Sequence, residues 1–157
     1  MEVLREMPLV RLAEEKDVPR ILELYEELSI TTSQAEAERR PARHDYQRVL
    51  TEIRDIPGHD LLVVEEDGQV LGTVVLLVVP NLSHRGCSWA LLENLIVDAK
   101  QRGRGLGRFL IEHGMARARE AGCYKLVLMS DRRREKAHQF YQHLGFEPSA
   151  YGFRLYF

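Results

Sequence analysis

The glycine-rich run RGRGLG, from Arg102 to Gly107, is the strongest chemical signal in this 157-residue sequence. It follows an apolar run, LLENLIV at 91–97, that predicts a strand, and it precedes RFLIEHGMARAREA at 108–121, which predicts a helix. Glycines at alternate positions remove the Cβ atoms that would keep a ligand away from the backbone N–H groups. A strand that delivers such a turn to a helix start places free amides beside the positive end of the helix dipole, so we predict a diphosphate site here.

Other glycine motifs fit this run less well. No Gly-Lys-Ser/Thr follows, so it is not a Walker A loop, and Arg108 stands where the dinucleotide fingerprint G-x-G-x-x-G needs its third glycine. An ordinary strand-to-helix turn with solvated arginines remains an alternative.

Glu93 is a charged residue inside the apolar run that precedes the turn. Apolar neighbours disfavour the carboxylate anion and raise its pKa, toward a range in which it can take a proton from an ammonium group, directly or through water. A general base is therefore one interpretation of Glu93, and an outward-facing edge glutamate is the other. Asn94 fits equally well as a pocket residue or as a cap on the sheet.

Two motifs, in this order, carry a family resemblance. The first has the pattern R-x-x-G-x-G, and the second, inside EKAHQFYQHLGFEP at 135–148, has the pattern A-x-x-F-Y-x-x-x-G-F. One predicted helix and one predicted strand separate them, and together they resemble the acyl-CoA-binding and C-terminal motifs of the GNAT N-acetyltransferase superfamily. The matching residues are Arg102, Gly105 and Gly107, then Ala137, Phe140, Tyr141, Gly145 and Phe146.

The resemblance implies acetyl-CoA as the co-substrate and no metal. In this family the strand before the turn splays from its neighbour, so that backbone groups matching Leu95, Ile96 and Val97 bond the pantetheine like an added strand. The amide that matches Leu95 can stabilise the developing oxyanion. Arg134 stands where the family often has an asparagine that bonds the pantetheine; Arg134, Lys136 or His138 could instead reach coenzyme phosphates. The turn as a whole is implied to hold the diphosphate: Arg102, Gly103, Arg104, Gly105, Leu106, Gly107 and Arg108.

The resemblance also implies direct attack by a neutral amine on the thioester, with Glu93 as base and Tyr141 as acid. A phenol can give its proton to the departing thiolate. The alternative for Tyr141 is a core aromatic residue with its hydroxyl bonded to backbone. In this family the helix that carries Tyr25 and Glu26 forms part of the acceptor pocket, which makes both residues candidates for that pocket. The alternative is that they belong to the core and to the solvated face of the helix. The implied acceptor is a primary amine of a small molecule, peptide or protein.

The coarse pattern predicts one α/β domain over residues 1–157. The resemblance makes this a GNAT-like fold, with a mixed, mostly antiparallel sheet that is flanked by helices and splayed before the glycine-rich turn. Predicted strands and helices cover the chain from Met7 to Phe157, with a polar loop from Ser29 to Pro41. The strands lie near 7–13, 60–80 as a hairpin, 88–97, 123–130 and 151–157, the last pairing with one near Phe146; the helices lie near 18–28, 44–56, 106–121 and 135–144.

Composition narrows the class of protein. A formal net charge of −2 favours neither a nucleic-acid binder nor a membrane-surface protein, and the arginines at 132–134 stand between Asp131 and Glu135 rather than on an extended basic face. No apolar run is long enough to span a bilayer and no signal-peptide core is visible, so we expect a cytoplasmic protein. Cys87 and Cys123 have no metal-like spacing, and reduced thiols are expected. The resemblance also implies a homodimer, with the last strand taking part in the contacts between the two subunits.

Two rival functions stay open at this level. A non-catalytic acyl-CoA-binding or regulatory module would keep the glycine turn but would not need Glu93 and Tyr141. A nucleotide-dependent oxidoreductase is favoured by the strand, turn and helix alone, and the glycine spacing opposes it.

Overall fold

The computed structural model describes residues 6–28 and 33–157. Five strands lie in this part of the chain: β1 (Leu9–Leu12), β2 (His59–Glu66), β3 (Gln69–Val79), β4 (Trp89–Val97) and β5 (Leu126–Leu128). The α-helices are α1 (Val18–Tyr25), α2 (Gln34–Ala37), α3 (Arg43–Asp55), α4 (Leu106–Glu120) and α5 (Glu135–His143). Short 3-10 turns precede α1, β4 and α4.

The five strands form one sheet in chain order, β1-β2-β3-β4-β5. Neighbours from β1 to β4 are antiparallel, and β5 runs parallel to β4 after the α4 crossover. The predicted hairpin of β2 and β3 is confirmed, and so is the mixed, mostly antiparallel sheet. This topology places the glycine-rich turn at the carboxyl end of β4.

Helices cover both faces of the sheet, as the nearly continuous apolar runs of β2 and β3 predict. On one face α4 contributes Leu110 and Ile111, which are fully buried against β3 and β4. On the other face α1 and α3 contribute Ile21, Leu24 and Leu50. The sheet therefore separates two apolar cores.

A β-bulge interrupts β4 and was not predicted. Val75 of β3 lies opposite Glu93, but Thr73 lies opposite Ile96, so two β4 residues share the place opposite Val74. The extra residue is Asn94, whose φ of 54° is in the left-handed region. Because side chains alternate between faces, the extra residue changes which face each later residue of β4 meets.

Glycine lets α4 lie close to the sheet. A Cβ built on Gly114 would come within 3.1 Å of Leu92 Cδ2, which is tighter than ordinary contact. The small residue at this position therefore permits the close packing of α4 on the sheet.

Two predicted segments differ in the structure. The strand expected over 123–130 is only Leu126–Leu128 and is half-buried. The loop expected from Ser29 to Pro41 contains the one-turn helix α2; its residues 29–32 lie outside the described residues.

The strand predicted over 151–157, with a partner near Phe146, is wrong. Residues 146–157 form no strand, and the side chains of Tyr151, Phe153 and Phe157 are 83–90% exposed. An alternating apolar pattern forms a strand only when its backbone hydrogen-bonds to a neighbouring strand, and residues 151–157 pair with no strand in the described chain, although Gly152 lies close to Met129 after β5. The backbone N–H of Ala35 donates to the Phe157 carbonyl (3.1 Å), which joins the end of this segment to α2.

Candidate active site

Strands β4 and β5 separate partway along β4, as expected for the predicted splayed sheet. They pair only from Ala90 to Leu92, opposite Leu126 to Leu128. Beyond Leu92 no strand of the described chain pairs with the β5-facing edge of β4, and a cavity of about 200 Å³ opens beside it. We call this space the splay cavity; it is lined in part by Glu93, Leu95, Ser130, Arg134, Tyr141 and Arg154.

The bulge places the polar and apolar residues of β4 around this cavity. Glu93 and Leu95 both line it, while Ile96 packs into the core on the other face. Without the extra residue Asn94, Leu95 and Ile96 would exchange faces. Sequence reasoning missed this bulge, and the available signal was the asparagine itself, because asparagine adopts left-handed φ more readily than most residues.

Glu93 is half-buried beside apolar neighbours, and its pKa is raised. Burial is the largest cause, because a carboxylate loses hydration there. The positive charge of Arg154 and a hydrogen bond from the backbone N–H of Asn94 act in the opposite direction and lower the pKa in part. The carboxyl group therefore holds its proton to a higher pH than an exposed glutamate.

Tyr141 lies across the same cavity on α5. Its ring packs against Phe140, with centroids 5.3 Å apart, and meets the ring of Phe146 nearly edge-on at 6.0 Å. Burial raises the pKa of its hydroxyl; Arg134 lowers it in part and Glu93 raises it further. The phenol is therefore protonated throughout the neutral range and can act as a proton donor.

The two sequence motifs meet at the first turn of α4. A Cβ built on Gly107 would lie 3.6 Å from the Phe140 ring, the residue before Tyr141, and 3.6 Å from Val97 Cγ2 at the end of β4. The glycine turn, β4 and α5 therefore converge on one place.

The turn itself leaves its backbone open. Gly103 and Gly105 have φ of 79° and 80°, and a Cβ on either would meet no atom of the described residues within 4 Å. Gly105 caps α4, since the Phe109 N–H donates to its carbonyl at 3.0 Å. The amides of the next three residues, 106–108, precede the first intrahelical bond and are available to a ligand.

The arginine side chains of the turn are engaged with carboxylates of the protein. Arg102 pairs with Glu27 (2.6 Å), Arg104 with Glu66 (2.7 Å) and Arg108 with Glu112 (2.7 Å). The positive charge of these three arginines is therefore largely compensated. To bind an anion these side chains would have to leave their carboxylates, whereas the amides of residues 106–108 would give up no intrahelical bond.

A second cavity lies on the opposite face of the sheet. It has a volume of about 360 Å³ and runs between the sheet and the helices α1 and α3. We call it the apolar cleft; most of its lining is aliphatic or aromatic. Glu93 and Asn94 line both cavities, so the cleft and the splay cavity adjoin at the bulge.

Tyr25 lies in this cleft, whereas Glu26 lines neither cavity in the described part of the chain. Burial raises the pKa of Tyr25 to about 12, against the hydrogen bonds with Thr73 and Asn94, which lower it. Its hydroxyl therefore stays protonated and links α1 to the bulge.

The family model for the acetyltransferase (GNAT) family matches residues 19–146, which are most of the chain. The chain belongs to the GNAT acetyltransferase family. Its mixed sheet, splayed at β4 and β5 and followed by the glycine turn, is the fold that the sequence resemblance implied.

Relatives of this GNAT protein include two curated enzymes. A glucosamine 6-phosphate N-acetyltransferase of Trypanosoma brucei brucei is 35% identical over 88 residues, which are 56% of this chain and 58% of that relative. One from Arabidopsis thaliana is 30% identical over 111 residues, 68% of this chain and 69% of the relative. The crystal structure of an acetyltransferase from Trypanosoma brucei has a TM-score of 0.80 and 28% identity, and covers 95% of this chain and 99% of its own.

The remaining candidate residues of this GNAT protein lie in different places. Arg134 lines the splay cavity, whereas Lys136 and His138 line neither cavity, and His138 Nε2 lies 2.8 Å from the Asp131 carbonyl oxygen.

Cys87 and Cys123 are free thiols, and burial raises the pKa of Cys123. Across residues 6–28 and 33–157, no cluster of His, Cys, Asp or Glu is arranged to hold a metal ion, and no helix is long and apolar enough to cross a membrane.

Proposed function

We propose that this protein is an N-acetyltransferase that moves the acetyl group of acetyl-CoA to a primary amine. The observation that carries the proposal is the placement of Glu93 and Tyr141 on the same cavity, which opens where β4 separates from β5. Amine acetylation by relatives of the same family supports it.

In the proposed mechanism the protein's own groups bind, orient and move protons. Acetyl-CoA supplies the thioester carbon that is attacked. The amides of Leu106, Gly107 and Arg108 would bind the diphosphate, with Arg102, Gly103, Arg104 and Gly105 shaping the turn. The free edge of β4, at Leu95, Ile96 and Val97, would bond the pantetheine as an added strand.

The chemical step is a direct displacement. Glu93 takes a proton from the ammonium group, the neutral amine nitrogen bonds the carbonyl carbon, and the carbon–sulfur bond breaks. The amide of Leu95 would hold the developing oxyanion, and Tyr141 gives its proton to the departing thiolate. The proton that the nitrogen loses as it becomes the amide passes to the Tyr141 oxygen and restores its hydroxyl. Neither cysteine lines either cavity, so no cysteine nucleophile enters this proposal.

A ligand and turnover screen tests the proposal. Thermal-shift titration with acetyl-CoA, NAD and ATP should give stabilisation by acetyl-CoA, and a thiol-detection assay over an amine panel should give acceptor-dependent release of CoA. The non-catalytic module is disfavoured by the Glu93 and Tyr141 pair; it would be restored by acetyl-CoA binding without any turnover. Stabilisation by NAD alone would refute the proposal.

Glucosamine 6-phosphate is the first acceptor to include in that panel, because the relatives' names carry it. A peptide or protein amine remains within the proposal.

The proposal also includes a homodimer and a cytoplasmic location. The exposed aromatic side chains of the C-terminal segment, Tyr151, Phe153 and Phe157, support a second copy as their cover. The free thiols of Cys87 and Cys123 are in keeping with a reducing compartment. Light scattering after size exclusion tests the first, and fractionation of cells tests the second. Neither a nucleic acid nor a membrane is needed as a partner.

A further inference from the structure

The apolar cleft is too large and too close to Glu93 to be a packing defect. Its volume of about 360 Å³ is in the range of small-molecule sites. It is open along α3, where Val49 is 38% exposed. Because Glu93 lines both the cleft and the splay cavity, a molecule in the cleft can place an amine at the carboxylate without crossing the sheet.

The lining of the cleft determines what can occupy it. From α1 and α3 come Leu22, Tyr25, Tyr46, Val49 and Ile53, and from the sheet come further aliphatic side chains. Among the described residues that line it there is no lysine or arginine. A phosphate group placed there would lose its hydration without gaining a cation.

The distal end of the cleft offers one weakly polar group. His59 lines it, and the Nδ1 atom of its ring is buried without a hydrogen-bond partner among the described residues. His59 pairs across the sheet with Leu77 and lies two strands from Glu93, about 12 Å away by strand geometry. A single imidazole cannot replace the several cationic donors that bind a phosphate.

The charged groups lie on the other side of the bulge. Arg134 and Arg154 line the splay cavity together with Asp131 and Glu93, and Arg154 lies 3.5 Å from Asp131. The site therefore divides into a charged half and an apolar half, with the amine-handling carboxylate at the boundary.

We propose that the acceptor is a primary amine on an apolar body, alkyl or arylalkyl, which enters the cleft between α1 and α3 and presents its nitrogen to Glu93. This inference rests on the proposed acetyltransferase function and names its substrate class. It sets this chain apart from the phosphorylated amino sugar in the relatives' names.

The test is the specificity constant kcat/KM for four primary amines at saturating acetyl-CoA: n-propylamine, n-hexylamine, 2-phenylethylamine and glucosamine 6-phosphate. Each methylene added between propylamine and hexylamine should raise kcat/KM about two- to four-fold, because the cleft buries it. Both hexylamine and 2-phenylethylamine should exceed glucosamine 6-phosphate by at least about ten-fold. A preference for glucosamine 6-phosphate, or no rise with chain length, overturns the inference while the acetyltransferase function stands.

Failure of the underlying function has a different signature. If none of these amines, nor a wider panel of polar amines and peptides, releases CoA from a protein that acetyl-CoA stabilises, the proposed function fails and the inference fails with it.

A pair of variants on α3 locates the acceptor. Val49→Glu places a carboxylate in the cleft, and Thr51→Glu places one on the same helix outside it, where Thr51 is exposed and lines neither cavity. We expect Val49→Glu to raise the KM for 2-phenylethylamine about ten-fold without changing the KM for acetyl-CoA, and Thr51→Glu to change neither. Equal effects of the two variants, with both folded by circular dichroism, would overturn the assignment of the cleft.

Discussion

The two cavities on either side of the β4 bulge differ in how they would recognise a ligand. Around the glycine turn and the splayed strand, open backbone groups do the binding, and the nearby arginines are paired with Glu27, Glu66 and Glu112. In the apolar cleft, side chains from α1 and α3 form the walls.

This difference separates what substitutions can change. Side-chain substitutions leave amides in place, so a site made of backbone keeps its specificity as long as the fold is kept. A site made of side chains on two helices changes its specificity with each residue. The first suits a co-substrate common to a family, and the second suits an acceptor that varies between members.

The largest expected effect on the rate is at Tyr141, the proposed acid. Tyr141→Phe removes the proton that the thiolate receives, and kcat should fall about 10³-fold. Binding of acetyl-CoA, measured by calorimetry, should be unchanged because the ring still packs on Phe140 and Phe146. Tyr124→Phe is the matched control, since Tyr124 stacks on His84 and lines neither cavity. An equal loss in both variants would remove Tyr141 from the mechanism.

The second largest effect is expected at Glu93, the proposed base at the boundary of the two cavities. Glu93→Gln keeps the shape of the side chain but cannot accept the proton, and kcat/KM should fall about 10²-fold. In the wild type the rate should rise with pH through the raised pKa of Glu93, because only the anion is a base. The pH profile of the variant should lack that rise. A profile that the substitution does not alter would contradict the role of Glu93.

The same carboxyl group couples stability to pH. Because burial raises its pKa above the value in the unfolded chain, the folded protein binds more protons over the interval between the two values. The free energy of unfolding should therefore decline as pH rises through that interval, and Glu93→Gln should be more stable than the wild type above it. Urea titrations of both proteins at several pH values measure this, and parallel curves would refute it.

A smaller effect is expected in the backbone site. Gly105→Ala forces alanine to a φ of 80°, which costs about 1–2 kcal/mol and distorts the turn, so acetyl-CoA should bind about ten-fold more weakly. Gly122→Ala has a similar φ of 72° with open space around it, at the far end of α4. It should lose the same stability with no change in acetyl-CoA affinity. If both variants weaken binding equally, general destabilisation is the cause.

The smallest effect tests whether backbone or side chains hold the diphosphate. Arg108→Ala keeps the amide and removes an exposed ion pair with Glu112 that contributes under about 1 kcal/mol. Acetyl-CoA affinity should therefore change by less than about three-fold. A loss as large as that of Gly105→Ala would mean that the arginine side chain leaves Glu112 and binds the phosphates.

Local sequence patterns predicted most of the fold. The hairpin of β2 and β3, the strand β4 and the helix α4 each have a strong apolar period and clear turn residues, so their bounds differ little from the prediction. The segment at 151–157 has the same alternation, yet it pairs with no strand in the described chain. An apolar period therefore does not specify a strand by itself, since the interstrand hydrogen bonds must also form.

The candidate site was predicted in part. The sequence indicated Glu93, Tyr141 and the glycine turn, and the structure brings their elements together. It gave no sign that the apolar cleft meets the splay cavity at Glu93, because that contact depends on the packing of α1 and α3 across the sheet. The pairing of the turn arginines with distant carboxylates was equally invisible, since Glu27 and Glu66 lie far away in the chain.

The single inserted residue in β4 has one more consequence. Deleting Asn94 would restore strict alternation, which would send Leu95 to the α1 and α3 side and Ile96 to the α4 side. No sequence of conservative side-chain substitutions leads from one arrangement to the other, since they differ by the length of the chain. The β-bulge beside Glu93 is therefore either present or absent, and the insertion or deletion of one codon decides which.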